Sequence, residues 1–185
     1  MIISNHQVYL RSVQLEDAEF IVKLRTDAKN ARFISKTSPI VEDQKLWLEK
    51  YKERETHKKE FYFLGHTLDN SPFGTTRLYN FNSKTFTNGS WVVLANTNPK
   101  YSIMIDLLVR SYAFNEMDFD TCFFDVRKQN KKVIKYHSRL GAQFEYSNEL
   151  DNFYTIKKCD FFDSLKKMVS IGFLKEEDLQ YTVSE

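Results

Sequence analysis

Between residues 125 and 144 the chain reads DVRKQNKKVIKYHSRLGAQF, and two side chains able to exchange or donate a proton, Tyr136 and His137, follow Asn130 there at helical distance. An imidazole titrates near pH 6.5, at about 6.5 in the reference state, so His137 can orient, accept from or donate to a reacting group around neutrality. A half-buried helix residue is the plainer role for the same His137, and the sequence leaves both open. The phenol of Tyr136 is the reserve donor.

The surrounding residues write the elements that position this pair. Cys122, Phe123, Phe124 and Val126 form an apolar, strand-prone run expected to be buried on both faces. Asn130 falls where a helix N-cap lies, because its side-chain oxygen can accept an orphan backbone N–H of the first turn. Val133, Ile134, Tyr136, His137 and Leu140 recur at helical spacing, and Gly141 suits the left-handed position that ends many helices.

Upstream, Gln7 to Val13 alternates as a strand, and Glu16 to about Asp27 puts Phe20, Ile21 and Leu24 on one helical face. Val41 to about His57 reads as a second helix with Leu46, Trp47 and Tyr51 inward. Glu60 to Leu68, Gly74 to Phe81 and Thr85 to Ala95 read as three strands joined by turn signals, an antiparallel meander. A helix from Ser102 to Met117 then leads into the strand Thr121 to Arg127, a crossover that favours a parallel strand pair. Phe144 to Tyr146 and Phe153 to Lys157 are the last expected strands, followed by a helix from Phe161 to about Val169.

Composition bounds the function. With 42% hydrophobic and 15% aromatic residues and no Gly/Ser/Pro-rich linker, the chain can bury one substantial core. Lys+Arg 27 against Asp+Glu 25, with signs interspersed, gives no electrostatic case for a nucleic-acid binder. Cys122 and Cys159 are expected as unpaired thiols of a reducing compartment. No apolar stretch is long enough to span a bilayer and no signal-like N-terminus is present, so a cytoplasmic location is the expectation.

The segment from Asn130 through His137 to Leu140-Gly141 resembles the C-terminal signature of the GNAT acyl-CoA-dependent N-acetyltransferases. It is most similar to the branch holding ribosomal-protein alanine acetyltransferases and N-acetyltransferases of nucleotide-linked amino sugars. Val8-Tyr9-Leu10-Arg11-Ser12-Val13 with Leu15-Glu16-Asp17-Ala18, Ser38-Pro39-Ile40 with Trp47-Leu48, and Ser90-Trp91-Val92-Val93 extend the likeness over most of the chain. It fades from about Asp160.

The resemblance implies an α+β (mixed α/β) GNAT fold. Its central, largely antiparallel sheet carries one splayed parallel strand pair and is flanked by helices. Residues 1–159 would form the acetyltransferase domain, and 160–185 an amphipathic helical appendage, built on Phe161, Phe162, Leu165, Met168 and Val169, that packs on it or meets a second copy in a homodimer. Acetyl-CoA is the implied cosubstrate, with no metal. Backbone of Val92, Val93 and Leu94 would hydrogen-bond the pantetheine arm like an added strand.

The phosphate loop departs from the family pattern: Thr97-Asn98-Pro99-Lys100-Tyr101-Ser102 lacks both usual glycines. Asn98 tolerates positive φ, Lys100 offers charge, Ser102 is small, and the helix start with Tyr101 keeps its partial positive charge. Asn130 would complete the cofactor set.

The resemblance also puts His137 in the slot of the thiolate's proton donor, with Tyr136 beside it. Asn88-Gly89-Ser90 offers no carboxylate where many relatives carry one; His66 is the candidate base, Tyr79 and Asn80 on the next strand could face the same site, and a water chain is the alternative. Arg32, Phe33, Arg77, Tyr79 and Phe81 would line the acceptor pocket, and arginine beside aromatic rings suits a nucleotide diphosphate. Three function classes remain: acetylation of a nucleotide-linked amino-deoxy sugar, acetylation of a protein N-terminus or small amine, and a non-catalytic binding protein.

Overall fold

The computed structural model describes residues 1–184. The chain opens with β1 (Ile2–Ser4), β2 (Val8–Ser12), α1 (Ala18–Thr26), α2 (Ala28–Ala31) and α3 (Val41–Thr56). The meander β3 (Phe61–Thr67), β4 (Pro72–Asn82) and β5 (Thr85–Val93) follows, then α4 (Pro99–Asn115), β6 (Thr121–Arg127) and α5 (Lys131–Arg139). The chain ends with β7 (Gln143–Ser147), β8 (Asp151–Lys157), α6 (Lys158–Ser170) and β9 (Thr182–Ser184).

The nine strands among the described residues join one sheet in the order β7-β8-β6-β5-β4-β3-β2-β1-β9. Every pairing is antiparallel except β5 with β6, as a crossover through a helix requires. β1 and β9 pair with each other at the sheet's edge. The sequence reading contained neither strand, because three residues carry too little periodicity and their partners lie at opposite ends of the chain.

Two apolar layers cover the sheet. On one face Ile21 of α1 and Leu48 and Tyr51 of α3 pack on Val13, Tyr62 and Leu64. On the other, α4, α5 and α6 form the larger core with Phe86, Phe114, Phe124, Leu140 and Phe161. Leu46, expected inward on α3, is 56% exposed, and Leu48 takes the inner position. α6 starts at Lys158, and its Phe161, Leu165 and Met168 enter the same core.

The feature that shapes the site is the parting of β5 from β6. Their pairing runs only through Thr85 to Thr87 against Thr121 to Phe123. Beyond it β5 bends: Ser90 has φ +51°, the β4 register slips between Thr75 and Arg77, and the Thr75 hydroxyl donates to the Ser90 carbonyl at 2.9 Å. A bulge of this kind turns a strand away from its neighbour. The outer edge of β5 from Asn88 onward therefore lacks a strand partner.

Candidate active site

A cavity of about 810 Å³ opens where β5 and β6 part. At its apex lie Asn88, Phe124, Arg110 and His137, and its walls continue along Trp91, Val92, Val93, Ser102, Asn130 and Val133.

α5 is built as its sequence specifies. Asn130 caps it by accepting from the Val133 amide at 3.4 Å, and Gly141 ends it at φ +84°. Asn130→Ala is expected to cost about 1 kcal/mol, the usual worth of such a cap. Chemical denaturation checks this.

One residue of helical rotation then separates the two proton carriers. His137 turns inward, 3% exposed, against Phe124 at 4.4 Å and Trp91 at 5.6 Å between ring centroids, and its buried Nδ1 has no partner among the described residues. Burial pushes its pKa down to about 3. At neutral pH the ring is uncharged, which removes the protonated imidazole from the sequence-based options and leaves a hydrogen-bonding N–H.

The same burial sets a pH dependence of stability. Because the folded value lies below the unfolded one of about 6.5, the unfolded chain takes the proton first, and stability present above that pH is lost as pH falls toward 3. The slope is about 1.4 kcal/mol per pH unit. His137→Phe is expected to remove that slope from urea-denaturation free energies measured between pH 6 and 4.5, roughly the window above most carboxylate titrations.

Tyr136 is half-buried, does not line the cavity, and commits its hydroxyl to the core. Its hydroxyl donates to Asp106 Oδ2 at 2.8 Å, Asp106 Oδ1 accepts from Arg110 Nε at 3.0 Å, and Arg110 Nη1 donates to the Cys122 thiol at 2.9 Å. Burial first and the Asp106 charge second hold the Tyr136 phenol well above its ordinary pKa. The Tyr136 hydroxyl, the reserve donor of the sequence, is thus committed to a buried network. Both cysteines are free thiols, Cys122 buried and Cys159 exposed.

His66 also lies away from the cavity. It stacks on Tyr9 at 4.9 Å with the rings 6° from parallel, and its Nδ1 lies 3.3 Å from the Leu64 carbonyl. Three carboxylates line the cleft, Asp43, Asp125 and Asp151, and Asp125 lies on β6 where the strands part. Its side chain stays exposed at the mouth, yet burial first and the nearby charge of Asp151 second raise its pKa above the usual carboxylate range. The alternation of β6 explains the oversight: Cys122, Phe124 and Val126 are buried whereas Phe123 and Asp125 are open, so one face of the strand is wet. Reading the run as buried on both faces hid the carboxylate.

The edge of β5 offers backbone to a ligand selectively. The Leu94 amide is spent on the Phe73 carbonyl at 2.8 Å, which turns the neighbouring Val93 groups toward the slot, and the Val93 carbonyl accepts from Asn30 Nδ2 at 3.1 Å. The first turn of α4 is less open than the sequence suggests. Asn98 has φ −54° rather than a positive value, and its side chain caps the helix by accepting the Lys100 amide at 2.9 Å. The Tyr101 and Ser102 amides both reach the Asn98 carbonyl. Lys100 Nζ lies 3.3 Å from Asp178, Tyr101 packs on Phe73, and Ser102 alone of this group lines the cavity. The glycine-poor loop therefore presents the helix dipole rather than a ring of free amides.

On the acceptor side Phe33, Arg77 and Tyr79 line the cavity, whereas Arg32 and Phe81 do not. Arg32 lies over the Phe33 ring at 4.4 Å on the exposed surface. Asn80, at φ +52°, breaks the alternation of β4 and turns Phe81 into the core against Phe119 at 5.2 Å. Arg77 lies over Trp47 and Tyr79, at 5.1 and 4.5 Å, and pairs with buried Glu60, which also accepts from Arg54. Arg25 and Lys36 join this wall without having been singled out in sequence, and Trp47, read there as an inward residue of its helix, joins it too. Arg25 holds the segment above it, donating to Thr37 Oγ1 at 2.7 Å and Ser35 Oγ at 3.0 Å.

Known proteins share this arrangement. The profile of the "Acetyltransferase (GNAT) domain" matches residues 7–143. The solved structure of apo FdhC, described as a nucleotide-linked sugar GNAT, superimposes with a TM-score of 0.81 at 32% identity, covering 91% of this chain and 97% of that one. Mycobacterium smegmatis RimJ with CoA-disulfide gives 0.77 at 13% identity, covering 93% and 95%. Spermidine N-acetyltransferase from Vibrio cholerae, with CoA and spermine, gives 0.67 at 16%, covering 85% and 99%. No curated protein sequence matches the chain. The parted strands, the capped helix behind them and the matched profile give one conclusion: the chain belongs to the GNAT family of acetyl-CoA-dependent N-acetyltransferases.

Proposed function

We propose that the acceptor is the amino group of a nucleotide-linked amino-deoxy sugar, of the kind consumed in surface-glycan synthesis, acetylated in the cytoplasm. The observation that carries this reading is the composition of the acceptor wall: basic Arg25, Lys36 and Arg77 interleave with aromatic Phe33, Trp47 and Tyr79. Guanidinium groups match phosphate oxygens, and aromatic faces match a nucleobase. Arg25, Lys36, Arg54 and Arg77 outnumber the three carboxylates of Glu60, Asp43 and Asp125 around this wall by one positive charge. FdhC, at 32% identity, is itself described as acting in the nucleotide-linked sugar class.

Bound acetyl-CoA supplies an activated acyl thioester. The chain's own residues do the rest. The Val93 backbone, Ser102 and Asn130 hold the arm in the slot, and His137 presents a neutral ring at its inner end. Asp125 takes the proton that the amine must lose, directly or through one water, which its raised pKa suits. Asp151 Oδ1, buried without a partner among the described residues while Oδ2 accepts from Arg127 at 2.9 Å, is an acceptor for a sugar hydroxyl.

The test is an acceptor screen with acetyl-CoA, read by mass spectrometry. Gain of one acetyl group by an amino-sugar nucleotide is the expected result. Acetylation of spermidine or of an alanine-terminated peptide, with the sugar nucleotide untouched, would contradict the proposal.

A further inference from the structure

We infer that Arg110 is a catalytic residue of this enzyme, its Nη2 edge pairing with the thioester sulfur as the C–S bond breaks and holding the departing CoA as a thiolate. The inference rests on placing the thioester at the slot apex, as the reading above does.

Arg110 is 1% exposed, and the little it shows forms part of the cavity wall at the apex. Its guanidinium lies over the Phe124 ring at 4.7 Å, and the same ring packs against His137 at 4.4 Å. Two of its nitrogens are spent: Nε on Asp106 and Nη1 on the Cys122 thiol. Nη2 makes no hydrogen bond among the described residues. Asp106 does not line the cavity, and its second oxygen is held by the Tyr136 hydroxyl. The arrangement fixes a charged donor in a dry site with one N–H edge uncommitted, which is how proteins stabilise developing negative charge.

Nothing else at the apex supplies charge to the leaving sulfur. His137 is neutral and Tyr136 is turned away and bonded. The balance is complete without a protonated acid in the site. The amine lone pair forms the C–N bond, the C–S pair leaves on sulfur beside Arg110, the amine proton passes to Asp125, and sulfur is protonated from solvent on release.

The experiment titrates the thiol of CoA bound to the full chain, by ultraviolet thiolate absorbance with the protein's own signal subtracted. Cys122, pushed up to about 12, stays silent. Bound CoA is expected to ionise with a constant at least about tenfold larger than free CoA, the effect of a nearby opposite charge. Arg110→Met is expected to abolish that gain and Arg110→Lys to keep most of it. In wild type, CoA affinity measured by calorimetry should rise with pH while that of an S-methylated CoA should not, a readout that stands if the Met variant fails to fold. A thiol that titrates like free CoA, or an unchanged gain in Arg110→Met, overturns the role of Arg110. Failure of CoA to bind would overturn the slot placement together with it.

Discussion

Asp125→Asn is expected to lower kcat/KM at neutral pH by about 10²- to 10⁴-fold, the range a positioned general base contributes. The substitution preserves shape and removes only the acceptor for a proton. β6 sets the direction of the side chain: register pairs Asp125 with Phe153, and the buried Phe124 and Val126 on either side face the other way. Burial, then Asp151, raises the carboxyl above its ordinary range, so the wild-type profile should fall as pH drops through that raised value. The Asn variant should show a flat acidic limb, with CoA affinity unchanged because the slot is untouched. A variant that retains wild-type turnover and the same limb would remove Asp125 from the chemistry and favour a water chain.

Asp106→Ala should be the most damaging single change to the fold outside the apolar core, at about 3–5 kcal/mol, the cost of stripping one partner from a buried ion pair. Arg110, fully buried, would lose its counter-charge, and the Tyr136 hydroxyl would lose its acceptor. A domain of this size converts that loss to roughly 2–4 °C of melting temperature per kcal/mol. Asp106→Asn should lose less, because the amide oxygen can still accept one bond. Urea denaturation of the two variants measures both. A loss under about 1 kcal/mol for the Ala variant would mean that solvent reaches the network, contrary to its burial.

The sequence shows most of the elements because each carries a local mark: a cap at Asn130, a left-handed stop at Gly141, turn residues between β3, β4 and β5. The site is less legible because single residues decide it. One step along α5 separates a ring in the cavity from a phenol in the core. One positive φ at Asn80 sends Phe81 inside and leaves Tyr79 at the cleft. His66 offered the right chemistry, but its stacking on Tyr9 depends on strand pairing between residues far apart in the chain. Asp125 was visible as an alternation within β6 once one face is taken as open. The Asp106–Arg110 pair, four residues apart on α4, had a sequence mark in its spacing, yet its depth follows from packing against β6 and α5.

The acceptor reading is tested most directly by kcat/KM for one amino sugar presented with and without its nucleotide. Binding to a remote part of a substrate is spent on the reacting centre, so the nucleotide-linked form should exceed the free sugar by about 10²-fold or more, with part of the gain in kcat. Equal values for the two, or a polyamine that surpasses both, would contradict a wall built for a nucleotide.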